Sequence, residues 1–174
     1  LAFNSNSTDD LLVPLMFPVA LPNGPGAPIR DDMSWISWMY PSGNFRNSTG
    51  TIQGNIMRRT GDVFQGANVV AVQVDAEGQE SQEEVVSVVS SFLGTDGSYE
   101  LPGLTPGNYA VFIEPLNPLF VAESGVGPFD SRFTNFPKDY YNGINESGSE
   151  TDDPTEKTLL SVGARQALVE IDLT

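Results

Sequence analysis

The clearest periodic pattern in the chain lies between residues 97 and 115, in the sequence GSYELPGLTPGNYAVFIEP. Polar and apolar side chains alternate from Ser98 to Leu101, which is the period of a half-buried β-strand. The same period puts Tyr109, Val111 and Ile113 on one side of a second strand, and Ala110, Phe112 and Glu114 on the other. Two Pro-Gly pairs, at 102–103 and 106–107, have the composition of tight turns. The pattern predicts a hairpin of two strands, and such a hairpin needs a second sheet to pack against.

The flanking sequence contains further short segments with the same two-residue period or with β-branched residues. These segments are Thr51–Arg58, Asn68–Asp75, Val85–Leu93, Thr158–Val162 and Gln166–Leu173. Thirteen prolines and seventeen glycines punctuate the chain, as is typical of all-β proteins with many turns. About seven strands of this kind predict an all-β fold in which two sheets form a small sandwich.

Several side chains are assigned a face by this period. Ile52 and Ile56 are expected on one face of the first strand. In the last strand we expect Ala167, Val169, Ile171 and Leu173 on one face. An acidic loop is predicted over residues 75–84, and a long excursion over 116–154 is expected to lay aromatic residues over the sandwich. Those aromatic residues are Phe129, Phe133, Phe136, Tyr140 and Tyr141.

The first 46 residues have a different pattern. Residues 11–21 are apolar but contain Pro14 and Pro18, which favours an extended segment. A short helix is predicted over 31–40, because Asp31 and Asp32 suit its positive end and Pro41 stops it.

That predicted helix is almost entirely apolar. Only Ser34 and Ser37 are polar between Met33 and Tyr40. A helix of two turns is unstable alone, so we expect it to be buried nearly all round, against the following sandwich or its own upstream segment. The alternative is that it docks onto another domain or a partner. The candidate docking residues are Trp35, Ile36, Trp38, Met39 and Tyr40.

Charge and composition exclude several classes of function. The chain of 174 residues carries a formal net charge of -15, which argues against binding to nucleic acid or to an anionic membrane surface. It contains no run of about eighteen apolar residues, so no membrane insertion is expected. The acidic stretches 75–84 and 146–156 lack the spacing of a calcium-binding loop, and we interpret them as solvated loops. No cofactor is therefore expected, and calcium binding by these stretches is the alternative.

Cysteine and histidine are both absent. Their absence excludes disulfides, thiolate or imidazole zinc ligands, and a Ser-His-Asp triad within the chain. Carboxylate chemistry remains, but no pair of carboxylates is spaced for it. We therefore expect that the chain is not an enzyme by itself.

Residues 50–174 resemble a carboxypeptidase regulatory-like domain, a transthyretin-like (prealbumin-like) sandwich of Ig-like type. The resemblance lies in four pieces that occur in the family's order: GTIQGNIMRRTGDVFQGANVVAVQVD, GSYELPGLTPGNYAVFIEP, FPKDYYNG and QALVEIDL. It implies a non-catalytic accessory, adhesion or spacer module of secreted and cell-surface proteins. The domain boundaries implied are 1–46 for the N-terminal segment and 47–174 for the sandwich.

Residues 15–41, LMFPVALPNGPGAPIRDDMSWISWMYP, resemble the end of a matrixin-type zinc metallopeptidase domain. The resemblance implies that Met16 is the Met-turn residue, that Asp31 and Asp32 open the closing helix, and that Ile36 and Tyr40 are buried in it. The family's H-E-x-x-H-x-x-G-x-x-H motif is absent. The chain itself therefore cannot bind catalytic zinc in the way of that family.

Two hypotheses of function follow. In the first, the chain is a secreted accessory or adhesion-type module of a zinc-metallopeptidase-like protein, held to an upstream fragment that was separated by processing before Leu1. In the second, identical subunits assemble into an extracellular filament or surface structure through the N-terminal segment. Both imply a protein partner and an extracellular or cell-surface location, where the sequons at Asn6, Asn47 and Asn145 are candidate N-glycosylation sites.

Overall fold

The computed structural model of the chain describes residues 13–15, 24–91, 94–116, 136–146 and 155–174. Two helices, α1 (Arg30–Met39) and α2 (Phe45–Ser48), precede the strands. The strands are β1 (Gly50–Asn55), β2 (Ala67–Val74), β3 (Glu80–Val89), β4 (Ser98–Leu104), β5 (Gly107–Pro115), β6 (Asp139–Tyr140), β7 (Leu160–Val162) and β8 (Ala167–Leu168). A 3-10 turn covers Gly143–Asn145.

The strands form two sheets, which confirms the predicted all-β sandwich. One sheet has the order β4-β1-β8, and the other has the order β3-β2-β5-β6, with β7 also paired to β5. Strand β8 pairs with β1 in parallel, whereas the other paired strands are antiparallel. The described residues thus contain eight strands, and the short β6 lies within the predicted long excursion.

The predicted hairpin between residues 98 and 115 is wrong. Strand β4 pairs with β1, and β5 pairs with β2, so the connection at Thr105–Pro106 carries the chain from one sheet to the other. The Tyr109 hydroxyl donates to the Thr105 carbonyl at 2.9 Å and fixes this crossing. The period correctly marks both strands, but the buried faces of β4 and β5 meet across the core instead of within one sheet.

The core between the sheets is built from the predicted inward positions. Ile52 and Ile56 share one face, as predicted, and both are completely buried in this core. From the other sheet Val69 and Val111 pack against them. The opposite face of β2 is buried too, in a second cluster that includes Val70 and Phe112. Strand β2 is therefore covered on both sides, which accounts for its nearly unbroken apolar sequence.

The predicted alternation of the last strand is only partly correct. Ile171 and Leu173 are buried, but Val169 is 56% exposed and Ala167 is exposed as well. Glu170 has a φ of 60°, and this left-handed residue interrupts the two-residue period between Val169 and Ile171. Strand β8 consequently ends at Leu168.

The predicted acidic loop is shorter than expected, because β3 begins at Glu80. The turn is stabilised by the Asp75 carboxylate, which accepts hydrogen bonds from the backbone N–H groups of Glu77 and Gln79 at 3.0 and 2.7 Å. Phe136 and Tyr141 pack against the main core as expected. Phe129 and Phe133 lie outside the described residues.

Candidate functional site

Helix α1 lies along the edge of the sandwich and covers strand β3. An edge strand has outward N–H and C=O groups without a strand partner. At Ser87 these groups are bonded by α1: the Asp31 carboxylate accepts from the Ser87 N–H at 2.9 Å and from its hydroxyl at 2.7 Å. The Trp35 indole N–H donates to the Ser87 carbonyl at 2.9 Å. The helix therefore uses polar groups to close this edge.

The start of α1 also reaches the other sheet. The Arg30 guanidinium donates to the Gly103 carbonyl in β4. Its Nε lies 3.2 Å from Glu84 Oε2 in β3, and the Thr105 hydroxyl donates to the same carboxylate oxygen at 3.1 Å. Arg30 thus connects the helix to both sheets at the place where the chain crosses between them.

Asp32 opens the helix, as the sequence predicted. Its carboxylate accepts hydrogen bonds from the backbone N–H of Ile29 at 3.0 Å and of Leu15 at 2.8 Å. The first bond satisfies an N–H group at the helix start. The second bond holds the chain at Leu15 beside the N-terminal end of α1.

Ser34 faces inward because the helix approaches β4 closely. Its side chain is completely buried. A Cβ atom added to Gly103 would lie 3.1 Å from Ser34 Cβ and 2.8 Å from Phe45 Cζ. Only a small side chain fits in this space, and this accounts for a serine at position 34. Ser34 lies on the same buried side of α1 as Asp31.

The apolar side of α1 faces outward. Three of its side chains and that of Tyr40, which directly follows it, are 41–79% exposed. We call these four residues the helix surface: Met33, Ile36, Met39 and Tyr40. The prediction that the helix is buried nearly all round is therefore wrong. The backbone N–H and C=O groups of Ser87 are hydrogen-bonded by Asp31 and Trp35, so the polar side of α1 lies against the sandwich. The resemblance to a metallopeptidase implies that Ile36 and Tyr40 are buried within a peptidase domain, and this implication stays a prediction. Trp35 and Trp38 are half-buried.

The stretch of sequence that contains α1 and α2 differs in charge from the rest of the chain. Between residues 33 and 61 the sequence contains no acidic residue, although the chain has 23. The Arg46 guanidinium lies 4.6 Å above the Trp38 ring, and no carboxylate pairs with it in the described part of the chain. Arg46 was not predicted as a site residue, although its place in an acid-free stretch is a signal visible in the sequence.

Burial affects the ionisation of the anchor Asp31. Loss of water around the carboxyl raises its pKa to about 6, although the hydrogen bonds from Ser87 favour the charged form. Asp31 is therefore an anchor whose charge changes in mildly acidic solution.

A second polar cluster lies on the outer face of the five-stranded sheet. Glu80 Oε1 accepts from Lys157 Nζ at 2.6 Å and from the Tyr140 hydroxyl at 3.1 Å. Lys138 Nζ lies 3.4 Å from the centre of the Phe112 ring. Burial of Glu80 opposes its ionisation, but the bond from Lys157 and the charges of Lys138 and Lys157 outweigh it and lower the pKa. These contacts hold β6 on the sheet, and we interpret the cluster as structural.

The remaining predicted site residues are scattered. Asn47, in α2, and Asn145, in the 3-10 turn, are both exposed. Asn6 and Met16 lie outside the described residues. Over the ranges that the structure describes, no three acidic side chains are grouped so that they would hold a metal ion. None of the helices in those ranges is long and apolar enough to cross a membrane.

Comparison with known proteins adds little to this description. No family model matches the chain, and no curated protein matches it. Among solved structures, the chain is similar to the dioxygenase domain of a dioxygenase–carbohydrate-binding protein fusion from Streptomyces sp. SirexAA-E. The identity is 16%, the match covers 76% of this chain and 85% of that one, and the TM-score is 0.34. A likeness at this level carries no argument about fold or function.

Proposed function

We propose that this chain is a non-catalytic, secreted accessory module of a zinc-metallopeptidase-like protein, and that its helix surface contacts the peptidase-like part. The observation that carries the proposal is the orientation of α1. Its polar side chains are buried against the sandwich, while Met33, Ile36, Met39 and Tyr40 are exposed together. Contiguous exposed apolar side chains of this kind commonly mark protein interaction sites.

The position of the preceding chain supports a peptidase-like partner. Residues 15–41 resemble the end of a matrixin-type domain, and the Leu15 N–H is bonded to Asp32 at the start of α1. Leu15 itself is 51% exposed. A domain or fragment associated with this part of the chain would therefore lie next to the helix surface.

The chemistry of the chain supports a non-catalytic role. It has no histidine and no cysteine, so a zinc site of the metallopeptidase type would have to belong to the partner. The buried carboxylates of α1 act as anchors: Asp31 binds Ser87, and Asp32 binds backbone N–H groups. Neither carboxylate is therefore available to act on a substrate.

The alternative, a filament subunit, requires a sheet edge that accepts a donor strand. One such edge, β3, is occupied at Ser87 by Asp31 and Trp35. This observation favours the accessory module. Polymerisation remains the outcome that would support the alternative.

Native mass spectrometry of the protein from its natural source, with zinc analysis of the same sample, tests the proposal. We expect a complex with a second polypeptide that carries a zinc motif, with about one zinc per complex. Homopolymers without zinc would contradict the accessory role and support a structural subunit.

A further inference from the structure

We propose that the module carries mechanical tension along its chain, through the pairing of β1 with residues 165–173. We call these residues the closing segment and the pairing the clamp. Tension enters through the chain before β1 and leaves through Thr174. This inference goes beyond the proposed function, because it assigns a mechanical role to the sandwich itself and does not depend on which partner is bound.

The first observation is the direction of the two strands in the clamp. They are parallel: Thr51 lies beside Ala167, and further along the same two strands Ile56 lies beside Leu173. In a parallel pair, the chain enters the first strand at one end and leaves the second strand at the opposite end. Tension therefore slides the strands past each other, and the hydrogen bonds between them must break together instead of one after another.

Backbone hydrogen bonds join the two strands along the whole length of the clamp. They measure 2.9–3.1 Å and connect N–H to carbonyl groups in both directions. Since all of them resist the same sliding movement, their contributions to the barrier add. From donor to acceptor they are Arg165 to Thr49, Thr51 to Gln166, Ile171 to Gln53, Leu173 to Asn55 and Met57 to Leu173.

Side chains add further bonds to the same pairing. The Tyr99 hydroxyl, from β4, donates to the Ile171 carbonyl at 2.5 Å. The Asp172 carboxylate accepts hydrogen bonds from the Asn55 backbone N–H at 2.8 Å and from the Asn55 side-chain amide at 3.3 Å. The closing segment is thus bonded to β1 and also to the strand on the far side of β1.

Burial strengthens the clamp on both of its strands. Ile52 and Ile56 in β1 and its extension, and Leu173 in the closing segment, are completely buried in the core. Hydrogen bonds beside a dry core are stronger than hydrogen bonds in water, because water does not compete for the same groups. Strand β1 is also paired along its other edge with β4, so tension does not pull β1 away alone.

The clamp also protects the rest of the sandwich. Strands β2 to β7 all lie in the chain between β1 and the closing segment. While the clamp holds, tension passes directly from β1 to the closing segment, and these six strands carry none of it. The resistance of the module to tension is therefore set by the clamp.

Single-molecule pulling on the full chain tests the inference. The chain contains no cysteine, so a pair of introduced cysteines gives unique attachment points. Gly43→Cys with Thr174→Cys applies tension along the clamp. Gly43→Cys with Ala164→Cys instead separates two neighbouring strand ends, so that the bonds break one after another from Thr49 and Arg165 onward. At equal force we expect unfolding to be at least about tenfold slower in the first geometry, since several hydrogen bonds must break together.

Two matched tyrosine variants locate the barrier within the molecule. Tyr99→Phe removes the hydroxyl bond to Ile171 in the clamp, and Tyr109→Phe removes the hydroxyl bond to Thr105 at the crossing between the sheets. Both side chains are buried, and both variants should be less stable in urea. With tension along the clamp, Tyr99→Phe should unfold about tenfold faster. Tyr109→Phe should unfold less than about twofold faster, because its bond is outside the part that breaks first.

Two results would overturn the inference. Equal unfolding rates in the two pulling geometries would show that the parallel pairing does not resist tension. Equal acceleration by Tyr99→Phe and Tyr109→Phe would show that the barrier lies outside the clamp. If Tyr99→Phe does not fold, the two geometries still decide the question, because they keep the clamp residues unchanged. The zinc-containing complex expected under the proposed function is measured separately, so either proposal can fail without the other.

Discussion

Gly54 lies where the segment after β8 passes close to β1. A Cβ atom at this position would collide with the carbonyl of Ile171 and come within 3.0 Å of the Tyr99 ring. The Tyr99 hydroxyl donates to that same carbonyl at 2.5 Å. The absence of a side chain at Gly54 therefore permits the contact that closes the three-stranded sheet.

Gly54→Ala should destabilise the protein by about 2 kcal/mol or more, because backbone atoms of a buried strand must move. The measurement is the free energy of unfolding in urea. Gly43→Ala is the control, since nothing lies within 4 Å of the added atom there, and it should change stability by less than about 0.5 kcal/mol. Equal effects of the two substitutions would contradict the close approach.

Asp31 allows a prediction about pH. Its pKa of about 6 in the folded chain exceeds the ordinary value of 3.8, so the folded state holds this proton more tightly than the unfolded state does. The contribution of Asp31 to stability is then complete below about pH 4 and is lost as the pH rises through 6, by an amount on the order of a few kcal/mol.

Asp31→Asn removes this titration. The difference in unfolding free energy, wild type minus variant, should therefore fall between pH 4 and pH 6 and stay constant above that range. Urea unfolding of both proteins at several pH values measures it. A difference that rises with pH, or does not change, would show that the carboxyl is not buried as described.

At the scale of the element, α1 is a helix whose polar side is buried and whose apolar side is exposed. Its existence and its acidic start were predicted from the sequence, because Asp31, Asp32 and Pro41 are local signals. Its orientation was not predictable, because it depends on the unpaired backbone of Ser87 in an edge strand that lies far away in the sequence. No local pattern identifies which strand will form an edge.

The orientation of α1 can be tested with two substitutions in the same helix. Ser34→Leu adds a large side chain against Gly103 and should cost about 1–3 kcal/mol of unfolding free energy. Met39→Gln changes a side chain that is 62% exposed and should cost less than about 0.5 kcal/mol. Thermal or urea unfolding would show the opposite order if the helix buried its apolar side.

For the whole molecule, the sequence predicted the layers better than the connections. The two-residue period identifies β1, β2, β4 and β5, and it correctly places Ile52 and Ile56 on one face, which the structure buries. It does not state which strand lies beside which, so β4 and β5 were assigned to one hairpin although they belong to different sheets. Pairing depends on contacts distant in sequence, and these are not encoded in a local period.

The candidate site was predicted in a similar, incomplete way. Ile36, Met39 and Tyr40 were identified because an apolar helix needs a partner surface, and the structure leaves them exposed. Arg46 was missed because its relation to Trp38 depends on the turn between α1 and α2. The proposed peptidase-like partner would contact the surface that the orientation of α1 leaves exposed.

The most direct test of the docking role is site-specific photo-crosslinking in the native complex. A photoreactive phenylalanine analogue replaces Ile36 in one sample and Ile144 in a control sample, since both positions are exposed and apolar. We predict that Ile36 gives a crosslink to a zinc-motif polypeptide and that Ile144 gives none. Crosslinks from Ile36 only to copies of this chain, or the same products from both positions, would contradict the proposal that the helix surface binds a peptidase-like partner.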